Sequence, residues 1–478
     1  MQKYDLIVIG MGPSSIFLAY ELIKLNHYQN VLLIEEGKRV EQRNCPIEKV
    51  GKCTECKPYC NITSGFSGAG AFSDGKLSLY NEEDEDIYVG GDLHHYIGVE
   101  KTKRLIDYVD NIYLDFGASE QLEGVGYKEK VKPIKEKAKK EGVDLINIPI
   151  RHLGTEKAHE LYKKLEDYLE EHHIDMKFET IAEDLIIEEG KVKGVILQEL
   201  KTKEKIQVYA DQVVIAVGRK GANWLSNMCL KHEIATKPGT VDIGVRYELP
   251  DSVMKQINQY MYEGKFIGRP EPFKDKVRTF CQNPSGFVST EVYDDKLMLV
   301  NGHSYKNRKS KNTNLAILVS HNFKDPFDKP IDYGINVAKN VNELAAQGVL
   351  VQRLGDIYRG KRTWKQELET NSLEPTLKAA VAGDITFAIG YRTMTDILNF
   401  IRQMDKIIEG FADPDNLLYA PEIKFYSNKI EIDENFETNI EGLYSIGDGG
   451  GMTRGLMMAS CSGVQMARIL EKKRTKMK

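Results

Sequence analysis

The first forty residues combine two short apolar runs with a helical stripe between them. "YDLIVIG" at 4–10 is a β-branched run of the kind buried in a parallel sheet, and "NVLLIEEG" at 30–37 is a second one. Between them, apolar residues recur at helical spacing from Ile16 to Ile23. The pattern predicts a strand, a glycine turn, a helix and a second strand that ends in acidic residues.

Apolar periodicity predicts several further elements. They are a surface helix over 155–173, a meander over 178–197 that turns at Glu189 and Gly190, a strand and tight turn over 210–221, a helix with Ile397, Ile401, Met404 and Ile408 on one face, and a strand over 442–448 followed by a helix from about Leu456.

The turn after the first strand has the residue types that a dinucleotide requires. Gly10 permits a tight turn, and Gly12 lets the backbone approach a pyrophosphate at the N-terminus of the next helix. Ser15 stands where a third glycine is usual, while Glu35 ends the second strand and can accept hydrogen bonds from a ribose. An ordinary βα turn is the alternative, but the strand, helix and acid in register favour a dinucleotide site.

The C-terminal region favours FAD over NAD. Asp448 ends a predicted strand, and glycines and a helix follow it. An acid beside a helix N-terminus suits a ribityl hydroxyl and the electron-rich pyrimidine of a flavin.

The chain of 478 residues is too long for one ordinary core. The sequence predicts an α/β protein with a discontinuous, Rossmann-like FAD-binding domain and an inserted mixed α+β substrate domain. The predicted segments are FAD-binding parts at 1–80, 141–235 and 416–478, an insertion at 81–140 and the substrate domain at 236–415.

Composition and charge narrow the class of protein. A net charge of −5 and a pI near 6.1 argue against a nucleic-acid binder, whose surface would be basic. No apolar stretch approaches the roughly 20 residues that span a bilayer, and the N-terminal apolar run is too short for a signal peptide. We therefore expect a cytoplasmic protein without membrane association, in which thiols stay reduced. The charged runs at 81–88 and 127–142 are expected to be solvated surface.

Three motifs together resemble the FAD-binding domain of the glutathione-reductase-like flavoproteins: "GMGPSS", "ADQVVIAVGRKG" and "SIGDGGG". The resemblance implies that Gly10 to Ser15 and Glu35 hold the ADP half of FAD, and that Asp448 and the turn from Gly449 to Leu456 hold the ribityl chain and ring. The full set of cofactor-binding residues that it implies is Gly10, Gly12, Ser14, Ser15, Glu35, Glu36, Gly68, Ala69, Gly70, Ala182, Gly218, Gly447, Asp448, Gly455 and Leu456.

A narrower resemblance covers residues 1 to about 470. "GAGAFSDGKL", "VDIGVRYELP", "RTFCQNPSGFV" and "NGHSY" are similar to an uncharacterised FAD-dependent dehydrogenase family, also described as NAD(FAD)-utilising dehydrogenases and related to the HI0933-like flavoproteins. The resemblance implies a dehydrogenase or reductase that acts on a small molecule by hydride transfer at flavin N5. A flavin-dependent monooxygenase and a non-catalytic, flavin-binding redox sensor remain alternatives.

The electron donor stays open. The sequence has no second strand–GxGxxG–helix–acid unit of the kind that NAD(P)H-using disulfide reductases carry as a separate domain. Either NAD(P)H binds without such a domain, or electrons come from the substrate or from an electron-donor protein.

Three side chains are candidates for catalysis or substrate binding. His303 follows a strand-like run and could project into a cleft, Arg246 could bind an anionic substrate from one sheet face, and Arg454 precedes the last helix, where it could stabilise charge. For each of them a structural role, such as a hydrogen-bonded histidine or a salt bridge, is the alternative.

Four cysteines lie close together at Cys45, Cys53, Cys56 and Cys60. Four thiolates with a CxxC core can hold zinc or an iron–sulfur cluster. A redox disulfide at the flavin is a second possibility, although the position of the reactive thiols in disulfide reductases corresponds here to "AFS" at 71–73. Reduced thiols without chemistry are the third possibility.

Overall fold

The computed structural model describes residues 2–26, 28, 30–45, 56–72, 75–82, 86–237, 239–261, 264–293, 297–305, 308–323, 326–327, 329–425 and 429–477. Within these ranges, none of the helices combines the length and the apolarity needed to span a lipid bilayer.

Helices and strands alternate along much of the chain. The helices are α1 (Pro13–Leu25), α2 (Leu93–Ile97), α3 (Val99–Asp115), α4 (Lys128–Lys140), α5 (Thr155–Glu171), α6 (Ala222–Lys231), α7 (Asp251–Tyr260), α8 (Pro330–Leu344), α9 (Leu354–Tyr358), α10 (Lys365–Glu369), α11 (Tyr391–Ile407) and α12 (Leu456–Met477). The strands are β1 (Gln2–Lys3), β2 (Leu6–Ile9), β3 (Val31–Ile34), β4 (Lys76–Ser78), β5 (Val143–Asn147), β6 (Ile150–His152), β7 (Asp175–Lys177), β8 (Thr180–Glu188), β9 (Lys191–Glu199), β10 (Lys205–Tyr209), β11 (Val213–Ile215), β12 (Thr236–Lys237), β13 (Thr240–Pro250), β14 (Gly264–Gly268), β15 (Val277–Asn283), β16 (Phe287–Tyr293), β17 (Leu297–His303), β18 (Asn312–Asn322), β19 (Leu350–Arg353), β20 (Val381–Ala382), β21 (Leu417–Phe425), β22 (Lys429–Ile430) and β23 (Leu443–Ser445).

The first compact unit comprises Met1–Glu123, Pro149–Lys237 and Ser427–Lys478. Its centre is a parallel five-stranded sheet in the order β23-β11-β2-β3-β7. The strands β2, β3, β11 and β23 are completely buried, which explains why they read as short apolar runs without alternation.

Three predicted features of the first unit are confirmed. The meander consists of β8 and β9, which pair antiparallel and turn at Glu189 and Gly190, both with positive φ. The helix after the glycine turn is α1, and the C-terminal helix begins at Leu456. These two helices pack closely, because a Cβ on Gly463 would come within 2.0 Å of the Ser14 carbonyl oxygen.

The second compact unit comprises Gly124–Ile148 and Pro238–Tyr426. It contains an eight-stranded sheet in the order β20-β19-β21-β13-β18-β15-β14-β5, in which β13 pairs antiparallel with β21 and β18. The apolar faces of α8 and α11 pack on this sheet, and Ile397, Ile401 and Met404 of α11 are fully buried, as their spacing predicts.

The predicted insertion at 81–140 is not one piece. Its first part belongs to the first unit, where Tyr113 of α3 hydrogen-bonds Ser460 of α12 at 2.9 Å. Its second part, from Gly124 onwards, belongs to the second unit, in which the strand that directly follows it, β5, pairs with β14. The lysine-rich stretch forms α4, which is exposed on most of its surface but buries Val131 and Ala138. Long-range strand pairing, which local patterns do not report, sets these boundaries.

A carboxyl pair lies at α11 in the second unit, in which Asp396 is fully buried and Asp275 is partly buried. Burial is the largest influence that raises the pKa of the Asp396 carboxyl to about 7, and the nearby Asp275 adds to it. Arg392 donates to Asp275 at 2.7 Å and lowers the pKa of Asp275. The Asp396 carboxyl therefore stays protonated at mildly acidic pH, where an exposed aspartate is already ionised.

This arrangement predicts a specific pH dependence of stability. Because the pKa of Asp396 is raised in the folded state, its protonated form stabilises the protein at low pH, and this contribution is lost as pH rises toward 7 and above. The Asp396→Asn variant keeps a neutral donor there and should not show the loss. Between pH 5.5 and 8, urea unfolding should show that the wild type loses about 2 kcal/mol relative to this variant. Equal pH dependence of the two proteins would contradict this assignment.

Candidate functional site

Three neighbouring parallel strands bring their carboxyl ends to one edge of the first unit's sheet. Ile9 of β2 is in register with Ile215 of β11, and Ile215 is in register with Ser445 of β23. The loops at 10–12, 216–218 and 446–448 therefore begin side by side. Ligands of open parallel sheets bind at such an edge.

Glycines let these loops touch through their backbones. A Cβ on Gly10, which has φ +102°, would lie 2.5 Å from the Ala216 carbonyl oxygen. A Cβ on Gly449 would lie 2.7 Å from the Gly218 carbonyl oxygen, and a Cβ on Gly447 would lie 2.8 Å from the Ser14 hydroxyl. The tight-turn role that the sequence predicts for Gly10 is thus a steric requirement of the strand next to it.

Other glycines in the same loops face open space. A Cβ on Gly12, Gly218 or Gly455 would meet no atom of the described residues within 4 Å, and a Cβ on Gly68 would lie 3.8 Å from the Gly12 Cα. We call Gly12, Gly68, Gly218 and Gly455 the glycine cradle. Its backbone is open to a ligand, and its Gly12 end lies at the N-terminus of α1, where the helix dipole favours an anion.

The carboxylate of Glu35 connects three stretches of backbone at the cradle. It accepts N–H groups from Met11 at 3.0 Å, from Gly37 at 3.0 Å and from Gly65 at 2.8 Å. Glu35 is 7% exposed, and burial is the largest influence and raises the pKa of its carboxyl although the three N–H groups oppose it. The ribose acceptor that the sequence predicts here stays a prediction, and the structure shows that Glu35 orders the loops.

Glu36 is the more exposed of the two acids, with 34% of its side chain accessible. Its Oε1 accepts the Ser64 hydroxyl at 2.5 Å and lies 3.5 Å from the Lys220 ammonium nitrogen. The two acids of "IEEG" therefore differ: Glu35 is buried and bonded to three loops, whereas the carboxylate of Glu36 is accessible.

Arg43 is a buried residue of this site that the sequence did not single out. Its guanidinium donates to the carbonyl oxygens of Asn61, Ile62, Phe66 and Gly68, and it lies over the Phe72 ring at 4.6 Å. Burial lowers the pKa of Arg43 to about 10. Arg43 thereby holds the loop that contributes Gly68 to the cradle.

The turn after β23 is organised around Asp448. Its carboxylate accepts the Thr453 hydroxyl at 2.8 Å and the Gly455 N–H at 3.2 Å, and Arg219 Nε lies 4.0 Å away. Burial is the largest influence and raises the pKa of Asp448, against these partners. Asp448 thus stands between the strand end and the first residues of α12, as predicted.

A second contact on this turn was not predicted. Gly90, Gly91 and Asp92 run antiparallel to residues 452–454, with the Arg454 N–H donating to the Gly90 carbonyl at 3.2 Å and the Asp92 N–H donating to the Met452 carbonyl at 2.8 Å. A Cβ on Gly90 would lie 2.1 Å from the Arg454 carbonyl oxygen. The Asp92 carboxylate also accepts Lys429 Nζ at 2.8 Å. We call residues 90–92 the clasp; only its paired glycines hint at it in the sequence.

The other predicted cofactor residues differ in burial and in the element to which they belong. Gly70 is packed on the Tyr162 ring, 2.9 Å from where its Cβ would be, whereas Ala69 is exposed. Ala182 is buried in β8, whose first residue, Thr180, donates its N–H to the Glu35 carbonyl. Leu456 opens α12 directly after the cradle.

Arg246 does not have the role predicted for it. It is fully buried in the second unit and forms a two-point ion pair with the equally buried Glu422, with both distances 2.9 Å. It also donates to the Cys281 carbonyl at 2.7 Å and to Asn301 Oδ1 at 3.0 Å. Its alternation with apolar neighbours reflected a core position, so Arg246 is an internal ion-pair residue and not a binding group for an anionic substrate.

His303 and Arg454 are exposed. His303 ends β17 and contacts Tyr305, with ring centroids 4.6 Å apart. Arg454 belongs to the turn that the clasp contacts, in the first unit. Their predicted roles stay predictions.

The cysteine cluster is partly described. Cys45, Cys56 and Cys60 form no disulfide within the described part of the chain and have intermediate exposure, while Cys53 lies outside the described residues. Among the residues that the structure describes, no group of three or more metal-ligating side chains has the placement to hold a metal ion. Although burial opposes it, the backbone N–H groups of Ile62 and Thr63 lower the pKa of the Cys60 thiol, with the Thr63 hydroxyl and Lys220 adding to the effect. Zinc or iron–sulfur binding stays a prediction.

Two family models match this chain. One, described as an FAD binding domain, matches residues 138–242, and the other, described as the C-terminal domain-like part of an FAD-dependent protein, matches residues 240–424. The first match includes the meander and β11 with its Gly218 turn, and the second covers most of the second unit.

Similar proteins and structures share little sequence with the chain. An uncharacterised protein of Clostridium beijerinckii is 23% identical, with 98% of this chain and 80% of that protein covered. A quinol fumarate reductase of E. coli has a TM-score of 0.44 at 13% identity, covering all of this chain and 72% of its own. A formate oxidase has a TM-score of 0.45 at 10% identity, covering all of this chain and 99% of its own.

The matched models agree with the chemistry of the cradle. Open backbone at Gly12, Gly218 and Gly455, a helix N-terminus and the acids Glu35 and Asp448 fit a dinucleotide with a flavin at one end. The cofactor of this protein is FAD, and the protein is an FAD-dependent oxidoreductase.

Replacing Arg43 tests its role as the brace of the Gly68 loop. Lysine cannot reach several carbonyl oxygens in different directions, so Arg43→Lys should leave buried acceptors unpaired and lower the free energy of unfolding by about 2 kcal/mol. Hydrogen exchange over residues 61–68 should become faster. The matched control is Arg402→Lys, an exposed arginine that bonds Asn399. Equal effects of the two substitutions would contradict the assignment.

The clasp predicts an effect on FAD affinity at a distance from the cradle glycines. Asp92→Asn weakens the pairing with Lys429 but keeps the backbone pairing with Met452, so the turn should loosen while the fold persists. Because water screens this pair, we expect a loss of about 1 kcal/mol or less, which is up to about fivefold in the Kd for FAD. Glu441→Gln, at the exposed Lys191–Glu441 pair, is the control. An unchanged Kd in Asp92→Asn would show that the pair does not support the turn.

Proposed function

We propose that FAD lies along the glycine cradle, as in glutathione-reductase-like flavoproteins, with its ADP half at Gly12 and Gly68 and its flavin end near Asp448 and Gly455. The observation that supports this orientation most directly is the open backbone at three loops on one sheet edge, each following a different parallel strand. A diphosphate can approach Gly12 because no atom of the described residues lies within 4 Å of where a Cβ on Gly12 would be.

We further propose a dehydrogenase or reductase that acts on a small molecule. Bound FAD would supply a hydride acceptor or donor at flavin N5. In the oxidative direction the substrate would give up a hydride and a proton, and a base of the protein would take up the proton. The electrons would be exchanged with NAD(P)H or with an electron-donor protein.

The residues around the flavin end have separable tasks in this proposal. Asp448 accepts hydrogen bonds from the ribityl chain and fixes the Gly455 N–H, to which it is bonded at 3.2 Å. The N-terminus of α12, a helix of 22 residues, favours negative charge on the flavin pyrimidine. Arg454, exposed at that end, adds a positive charge. Buried Glu35 keeps the loops in place at the ADP end.

The proposal includes the narrower family that the sequence motifs suggest. The chain would be a cytoplasmic member of the uncharacterised FAD-dependent dehydrogenases related to the HI0933-like flavoproteins. The motifs at 68–77 and 241–250 support this family assignment. The second unit, which the C-terminal family model matches over residues 240–424, would carry the substrate specificity.

Gly12→Ala tests where FAD binds. Gly12 has φ −78°, and an added methyl group meets no atom of the described residues within 4 Å, so the free protein should fold normally. The same methyl group would occupy the space of the diphosphate, and the Kd for FAD should rise at least about tenfold. Titration of the apoprotein with FAD, followed by flavin fluorescence, measures this.

The matched control is Gly390→Ala in the second unit, where the new methyl group meets only the Tyr333 hydroxyl at 3.6 Å. This variant should bind FAD as the wild type does. The proposal would be wrong if both variants bound FAD equally well, since FAD would then not lie over Gly12.

A further inference from the structure

Two adjacent cations follow the open glycine of the β11 loop. Arg219 and Lys220 come directly after Gly218, and their side chains are 81% and 49% exposed. The glycine pattern of the sequence did not single out either residue.

The two side chains point to acids that follow two different strands. Arg219 Nε lies 4.0 Å from Asp448 Oδ2, in the turn after β23, and Lys220 Nζ lies 3.5 Å from Glu36 Oε1, after β3. Two neighbouring residues thus reach from the turn at one end of the cradle to the acid at the other. A Cβ on Gly218, at the start of this stretch, would meet no atom within 4 Å in the part of the chain that the structure describes.

We propose that Arg219 and Lys220 bind the diphosphate of FAD. The inference rests on the proposed orientation of FAD, in which Glu36 lies at the ribose end and Asp448 lies at the ribityl end. The diphosphate is the part of FAD that joins these two ends. Because Arg219 and Lys220 approach the acids at both ends, the diphosphate would lie within their reach. Both ion-pair distances are longer than a good hydrogen bond, and the exposed nitrogens keep donors available for phosphate oxygens.

Charge balance gives a second argument. The carboxylates of Glu36 and Asp448 lie at the two ends of the cradle, with the buried Glu35 beside them, and the ligand carries about two negative charges on its diphosphate. Like charges this close would oppose binding. Arg219 and Lys220 offset the two accessible carboxylates and provide positive charge along the ligand, in addition to the N-terminus of α1.

The test compares ligands with and without a diphosphate. In Arg219→Gln and Lys220→Gln, the Kd for FAD should rise about fivefold for each substitution and about 10- to 30-fold in the double variant. The Kd for riboflavin, which lacks the diphosphate, should not change. The dependence of FAD binding on salt concentration should also become weaker in the double variant, because two charged contacts are gone.

Conservative and distant variants complete the experiment. Arg219→Lys should keep most of the FAD affinity, and Lys205→Gln, at the exposed Lys205–Glu183 pair of the meander, should behave as the wild type. If the wild type binds FAD and the double variant binds it with the same Kd and salt dependence, this inference alone is overturned. If the double variant loses riboflavin and FAD affinity equally, the two cations do not act on the diphosphate. A wild type that binds no FAD would overturn the proposed function together with this inference.

Discussion

The site depends on one buried carboxylate. Glu35 accepts N–H groups from Met11, Gly37 and Gly65, which belong to the turn before α1, the segment after β3 and the glycine-rich loop. Removing a carboxylate from water is costly, and three N–H groups offset part of that cost. Because these three stretches share one acceptor, the glycine that the ligand approaches and the loop beside it keep a fixed relation, with Gly68 placed over Gly12.

The sequence predicted the parts of the site that depend on local backbone chemistry. Residue 10 must adopt φ +102° and has no room for a Cβ beside the backbone that follows β11. Only glycine meets both conditions, so the requirement is visible in the sequence. Strands that are buried on both faces of a parallel sheet appear in the sequence as continuous apolar runs. The end of β23 is recognisable because an acid, several glycines and a helix follow it. Those signals located the loops of Gly12, Gly218 and Asp448 correctly on one edge of a sheet.

What the sequence could not show were contacts between distant segments. Arg43 and the clasp at 90–92 bond to backbone carbonyl oxygens. Every residue has such an oxygen, so these contacts require no particular residue type at the partner position and cannot be recognised in the sequence. Arg246 has the same alternation whether it faces a substrate or a buried Glu422 in the next strand, and only the sheet register decides between the two. The division of 81–140 between two units has the same cause, because it follows from the pairing of β5 with β14.

FAD is expected to rest on the backbone of loops that come together at one sheet edge, and hydrogen–deuterium exchange of the whole protein, with and without saturating FAD, tests this most directly. FAD should slow exchange in the loops at 10–15, 64–70, 216–220 and 447–456, with little change in the eight-stranded sheet of the second unit. Protection by FAD that leaves these four loops unchanged, or that is confined to the second unit, would contradict it.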